Sequence, residues 1–427
     1  MQNFFRRLWG CFSDFRKRFL NLFSDSARRD FLLQKGNRHY LAGRYEQALK
    51  CYRKILRRHP FYLPALCNRA NIFFFQKNYA AALSDAGLMI AKFPERSCGW
   101  SLRGRTRLEQ EDFAAAEADL QKALALAPED FWNHNYLSQA LQKNGHFETA
   151  LEEAYRAVEL SGGEDSQHLN LAFAVYEISM ENGREKVLPV LRKWRRNYAG
   201  NPIVEQSCNA FFGEENCRRC NPVYVEKVFD NFAAGFDEIL ASLEYDSPRR
   251  IAETVRGKMP LSSWQKYRIL DLGCGTGLCG KCLDSLFKKR ILTGVDLSAP
   301  MLEEARRKGV YDRLEKAEIE HYLSGRNDMF DLIVSADVFT YFGMLENVFS
   351  GVFSALKKDG FFVFSITRNT ENENDFFLHP SGRFAHSRNY LEKTLEKCGF
   401  PTPDFVDSVL RRECGKEVRG WIVSARK

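Results

Sequence analysis

The chain has 427 residues, 44% apolar and 28% charged, an ordinary globular composition too long for one core and suited to two or three domains. No stretch approaches the roughly 18 consecutive apolar residues of a membrane span, and Arg6, Arg7, Arg16, Lys17 and Arg18 break every early apolar run, which reads against a secretory signal. The net charge is +8, yet residues 1–29 hold seven basic and two acidic side chains, so the rest is nearly balanced and no specific nucleic-acid surface is expected.

At the N-terminus, Phe4, Leu8, Phe12, Phe15, Phe19 and Leu22 recur at helical spacing with the basic residues between them. The spacing predicts a basic amphipathic helix over residues 1–28. It would pack on the following domain, or touch a membrane surface weakly through residues 4–23.

A 34-residue period follows. Pro60, Pro94 and Pro128 keep it, and Gly162 continues it. So do the alanines 48, 82, 116 and 150, the aromatics Tyr45, Tyr79, Phe113 and Phe147, and the small residues Gly36, Ala70, Gly104 and Ser138. Small residues let paired helices approach, the aromatic fills the gap between pairs, and proline follows a helix that it cannot continue. The pattern resembles the tetratricopeptide repeat, with four clear copies over about residues 29–162. Residues 166–198, with Pro189 inside the second segment, read as a divergent pair capping an all-helical domain over 29–198. Such arrays present a concave surface, so a protein or peptide partner is expected; a rigid brace or an oligomerisation element is the alternative.

Residues 199–221 read as a linker. Cys217 and Cys220 have the spacing of half a zinc site, and Cys279 and Cys282 repeat it on a predicted helix. No histidine lies within short reach of the linker pair, so no metal is expected. The twelve cysteines read as reduced thiols of a cytoplasmic protein.

From residue 267 strands and helices alternate. Apolar runs at 267–270, 291–295, 330–336 and 361–366 predict buried parallel strands, with a poor strand at 312–317. Helices are expected at 278–288, 300–308, 344–356 and 387–397. Segments 404–410 and 418–425 predict a terminal antiparallel hairpin. The expected fold class is α plus α/β, a helical array followed by a Rossmann-like, doubly wound sheet of seven strands, with its ligand at the carboxyl ends of the strands.

The run from Ile269 to Gly277 is an apolar strand ending in Asp271, then Gly273, Gly275 and Gly277. Only glycine allows such a turn against a bound ligand. Gly275, Gly277 and Gly280 also match the dinucleotide pattern, with Asp296 suited to a ribose. Asp271, however, would repel a pyrophosphate and suit an ammonium or a sulfonium.

Here the chain resembles the class I S-adenosylmethionine-dependent methyltransferases, over about residues 222–427. The resemblance implies S-adenosylmethionine as cofactor. It places Asp271, Gly273, Gly275 and Gly277 around the methionine end, Asp296 on the ribose, and Leu297, Met301, Glu318 and Ile319 about the adenine. Residues 228–237 look like the lid helix of a bacterial-type group that joins such repeats to a methyltransferase. Residues 330–338, 379–387 and 410–418 look like its fourth strand, the loop after its fifth, and its last hairpin. Asp337 is the best-placed acid near an acceptor, His386 a candidate base and Tyr341 a candidate positioner. Ser335-Ala336-Asp337-Val338 stands where enzymes methylating exocyclic or amide nitrogens often carry Asn/Asp-Pro-Pro-Tyr/Phe, which argues against that chemistry.

The expected function is a cytoplasmic methyltransferase whose array recruits or positions a protein target. The alternatives are a small-molecule methyltransferase with a structural array, and a scaffold whose methyltransferase domain binds cofactor without turnover. A nicotinamide oxidoreductase is a distant fourth. The methyl acceptor is not legible.

Overall fold

The computed structural model describes residues 25–213, 217–262, 264–372, 374–413 and 415–427. The amphipathic segment expected at the N-terminus falls outside them as far as residue 24. The chain divides between Gly162 and Gly163 into two compact units. None of the described helices is long and apolar enough to cross a membrane.

The first unit is a series of helix pairs: Asp25–Leu41 with Tyr45–Arg58, Leu63–Phe75 with Tyr79–Lys92, Ser97–Glu109 with Phe113–Leu126, and Phe131–Lys143 with Phe147–Leu160. The aromatic column opens the second helix of every pair. The alanine column lies one turn further on and is completely buried at all four positions. Each second helix ends two residues before Pro60, Pro94, Pro128 or Gly162. The small column is a packing requirement. A Cβ on Gly36 would stand 2.6 Å from the Tyr52 ring, and one on Gly104 would stand 2.7 Å from Leu120 Cγ.

A second periodic element was not read from the sequence. Arg69 donates two hydrogen bonds to Asp85, at 2.8 and 2.6 Å, and Arg103 repeats this on Asp119 at 2.8 and 2.7 Å. Both carboxylates are buried. The forked geometry ties the first helix of a pair to the second, and removing one partner would strand a buried charge.

The second unit opens with helices Asp165–Asn182, Leu188–Asn197, Pro202–Phe212, Pro222–Phe232, Phe236–Ser242 and Ser247–Lys258. The helix pair expected at 166–198 thus forms, but within the second unit. Pro189 occupies the first turn of its helix, where a missing N–H costs nothing. The stretch read as a linker contains the Pro202–Phe212 helix.

The sheet runs β1 (Tyr267–Leu272), β2 (Arg290–Asp296), β3 (Arg313–Lys316), β4 (Phe330–Ser335) and β5 (Leu356–Thr367). After it come a small separate hairpin of β6 (Phe376–Leu378) and β7 (Phe384–His386), then β8 (Asp404–Glu413) and β9 (Lys416–Arg426). The seven-stranded order is β3-β2-β1-β4-β5-β9-β8. Strands β1 to β5 are parallel, and β9 is antiparallel to both β5 and β8. Helices Leu278–Asp284, Ala299–Lys308, Ile319–Leu323, Glu346–Ala355 and Arg388–Lys397 make the crossovers. Alternate residues of one strand feed two cores, Leu270 and Leu272 one, Tyr267 and Ile269 the other, so both faces of the sheet are covered. The chain reverses its winding between β1 and β4, which opens a crevice at their carboxyl ends. Residues 379–387, read as a loop, carry strand β7 of the small hairpin.

Substituting Gly104→Val should overpack the Leu120 site and destabilise the first unit by about 1–3 kcal/mol. Denaturant unfolding, followed by circular dichroism, measures this; an unchanged midpoint would contradict the packing role.

Candidate active site

The glycine turn leaves the end of β1. Gly273, Gly275 and Gly277 have φ of +66°, +51° and +90°. A Cβ on Gly273 would stand 2.3 Å from Val338 Cγ2. At Gly275 a Cβ would meet nothing within 4 Å, and this residue lines a cavity. Gly273 is therefore small for the protein's own packing, and Gly275 keeps a space open for an occupant.

That cavity has a volume of about 460 Å³, in the range of small-molecule sites. It begins at Gly273 and Gly275, passes Asp296, Leu297, Glu318 and Ile319, and extends to Asp337, Tyr341 and Arg383. The Asp165–Asn182 helix closes one side with Leu169, Phe173 and Tyr176, and Phe211 adds to it from the next helices.

Asp296 ends β2 and organises the near end. Its Oδ2 accepts the Gly275 N–H at 2.8 Å, and its Oδ1 accepts the Ser298 N–H at 2.9 Å. Burial raises its pKa, opposed by those backbone donors. The Ser298 hydroxyl donates to Asp230 at 2.6 Å, and the Thr276 hydroxyl donates to Asp237 at 2.5 Å. Lys308 pairs with Asp237 at 2.6 Å. The segment expected to be a lid helix is two helices, Pro222–Phe232 and Phe236–Ser242, joined at Gly235 with φ +90°. These polar contacts strap both of them to the rim.

Glu318 caps the Ile319–Leu323 helix. Its Oε2 accepts the His321 N–H at 2.9 Å, and its Oε1 accepts Arg219 at 2.5 Å. Burial alone would raise its pKa, but the His321 and Glu320 N–H groups and the Arg219 guanidinium outweigh it and hold the carboxyl below the usual range. Arg219 also bonds Glu320 at 2.5 Å and lies 4.5 Å from the centre of the Phe342 ring.

Three expected site residues are buried away from the cavity, and a fourth, Gly277, belongs to the turn without lining the cavity. Asp271 is completely buried behind the turn and is not part of the cavity wall. It accepts the Tyr311 hydroxyl at 2.7 Å, while its Oδ1 has no hydrogen-bond partner. Burial pushes its pKa up to about 7. The Tyr311 ring fills the hollow beneath the turn, because a Cβ on Gly277, Gly280 or Gly294 would come within 2.5–2.9 Å of it. Met301 is completely buried in its helix and does not reach the cavity. His386 is the third correction. Strand β7 turns it into the core, where its Nε2 meets the Gly343 carbonyl at 3.0 Å and burial lowers its pKa to about 4. It does not line the cavity and has no access to an acceptor there.

At the far end Asp337 adopts a left-handed backbone, φ +57°, which a short acidic side chain tolerates. Its Oδ1 accepts the Ser365 hydroxyl at 2.8 Å and its Oδ2 accepts Arg411 at 2.7 Å. Tyr341 is buried beside Phe229, with ring centres 5.5 Å apart, and the Arg383 guanidinium offsets part of the effect of burial on its hydroxyl. No role for Tyr311, Arg219, Arg383, Arg411 or Glu413 was read from the sequence. The one available signal was Arg411 and Glu413 in a strand expected to pack on the sheet, where charges need partners.

Comparison with known proteins agrees with this geometry. Residues 269–360 match the family model described as a methyltransferase domain, and residues 33–96 and 101–165 match the tetratricopeptide repeat. The second unit carries a class I S-adenosylmethionine-dependent methyltransferase domain. The first is a tetratricopeptide array, and the methyltransferase domain's cofactor is S-adenosylmethionine.

Among curated relatives, RNA polymerase II-associated protein 3 of Mus musculus is 32% identical over 118 residues, 28% of this chain and 18% of that protein. Malonyl-[acyl-carrier protein] O-methyltransferase of Priestia megaterium is 30% identical over 152 residues, 35% of this chain and 53% of that one. The chain thus spans under a fifth of the one and about half of the other. Among solved structures, a SAM-dependent methyltransferase from Methanosarcina mazei is 19% identical with a TM-score of 0.33, covering 39% of this chain and 94% of that one.

Asp271 should make stability fall with pH. Its folded pKa, about 7, lies above the unfolded value near 3.8, so the native state holds a proton that the unfolded chain releases. Stability is therefore lost as pH rises through that window. Asp271→Asn should flatten this part of the profile, as chemical denaturation across the window will show; an unchanged slope would contradict it.

Proposed function

We propose that this protein is a cytoplasmic enzyme that transfers a methyl group from S-adenosylmethionine to a small acceptor group held in the cavity. The observation that carries this is continuity: one cavity joins Gly275 and Asp296 at the near end to Asp337, Tyr341 and Arg383 at the far end. The residues fit the cofactor. Gly275 leaves a cradle that a Cβ would fill, Asp296 presents a carboxylate to ribose hydroxyls, and Glu318 with Leu297 and Ile319 forms the wall for the adenine. The bound cofactor supplies a methyl carbon already activated by sulfonium. Gly273 and Gly277 hold the turn, while Tyr311 and Asp271 support it from behind. The aromatic wall excludes water, and Tyr341 orients the acceptor. The protein thus contributes mostly alignment and desolvation.

The tetratricopeptide array adds a protein partner on its concave surface. A small-molecule-sized cavity and a recruiting array are compatible when the acceptor is a small group borne on a protein. The Priestia megaterium relative acts, by its name, on such a group, malonyl on acyl-carrier protein.

Asp296→Ala should weaken S-adenosylmethionine binding roughly 10- to 100-fold, the loss expected for hydrogen bonds to a charged group. Titration calorimetry measures it. No detectable heat with the folded wild-type protein would overturn the assignment.

A further inference from the structure

Resting on that reading of the cavity, we propose that the acceptor is a carboxylate on an apolar body, seated against the Arg383 guanidinium. The far end holds its charges in one network. Glu413 accepts Arg411 Nε at 2.6 Å, Arg383 on the same oxygen, and the Tyr176 hydroxyl on the other oxygen at 3.3 Å. Arg411 continues to Asp337 Oδ2, and the Ser365 hydroxyl occupies Asp337 Oδ1. Each acid is thus ion-paired to Arg411, and a proton placed on either would cost that pair. Burial alone would raise the Glu413 carboxyl, but Arg383 and Arg411 outweigh it and hold it far below the usual carboxylate range.

Glu177, beside Tyr176 on its helix, is a further acid on the wall, whereas the thiols and phenol there hold their protons. Cys220, Cys274 and Cys279 face the cavity, and burial pushes their thiols well up, so they keep their protons at neutral pH. The Tyr245 hydroxyl is pushed up in the same way. An amine, phenol or thiol acceptor must shed a proton to become nucleophilic at neutral pH, whereas a carboxylate is already deprotonated.

Arg383 provides the complement. Its side chain lines the cavity with 32% of its surface exposed, and a guanidinium has five N–H donors, more than Glu413 takes up. The two arginines are balanced by Glu413 and Asp337, so the unused N–H groups set the polarity met by an incoming ligand. Phe173, Phe211, Phe232 and Phe236 make the surrounding wall apolar, with the Phe173 and Phe232 rings 5.5 Å apart. In the transfer, a carboxylate oxygen lone pair forms the new O–C bond. The C–S bond breaks, its electron pair goes to sulfur, and no proton moves. The products are a methyl ester and a neutral thioether.

The test uses the full chain with S-adenosylhomocysteine present and two matched probe series, aryl- and alkyl-carboxylic acids and their primary amides. Calorimetry should show the acids binding at least tenfold more tightly than the amides. Arg383→Met should abolish that difference and Arg383→Lys should retain part of it, with S-adenosylhomocysteine binding by each variant confirming an intact site. In parallel, labelled methyl groups transferred to a host lysate should be released as methanol by mild base, as esters are. Amides that bind as well as acids, or label that is wholly stable to base, would overturn the carboxylate assignment while cofactor binding stands. Loss of cofactor binding by the wild-type chain would instead overturn the broader reading.

Discussion

The Asp296 carboxylate is the joint on which the second unit's active end depends. One oxygen receives the glycine turn through Gly275 N–H, and the other receives the chain leaving β2 through Ser298 N–H. Ser298 then reaches Asp230 and so engages the helices over the rim. A single acid thus sets the turn, the strand end and the covering helices relative to one another. Its position follows from the sheet, since parallel pairing of β1 and β2 brings Leu272 beside Val295 and leaves Asp296 at the mouth. Two backbone donors offset much of the cost of holding a carboxylate there.

Much of this was legible in the sequence, because periodicity and glycine spacing are local signals. The 34-residue columns located the helix boundaries of the array, and the apolar runs located the strands of the sheet. The acids Asp296 and Glu318 lie on the cavity wall, as do Leu297 and Ile319. What failed was side-chain direction. His386 lies on a three-residue strand that is buried along its whole length, and nothing in the surrounding run of residues encodes that. Asp271 was placed correctly at the strand end, but Tyr311, forty residues away, draws it behind the turn. Tyr311 sits just before a weak strand, so no pattern announced it. The Arg69–Asp85 and Arg103–Asp119 pairs do follow the repeat period, yet they were hidden among many other charges.

Two kinds of buried charge serve different ends here. In the array, arginine–aspartate forks repeat with the fold and join helices within a pair. In the methyltransferase domain, Asp337, Arg411, Glu413 and Arg383 link β4, β8 and the β6–β7 connection in a chain of ionic hydrogen bonds that also faces the cavity. Such a chain is stable only when complete, because loss of one member leaves the next buried and unpaired. It gives the far end a rigid polar floor beneath otherwise aromatic walls.

The division between Gly162 and Gly163 has a bearing on how such a protein can be reassembled in evolution. Phe173, Tyr176 and Phe211 precede the sheet by many residues, yet they belong to the cavity. A recombination that exchanges one repeat array for another keeps the pocket only if the joint falls before Asp165. A joint placed at the first strand would carry those aromatics away with the repeats. The helices between the last clear repeat and β1 are therefore inherited with the chemistry, and the array ahead of them is the exchangeable part.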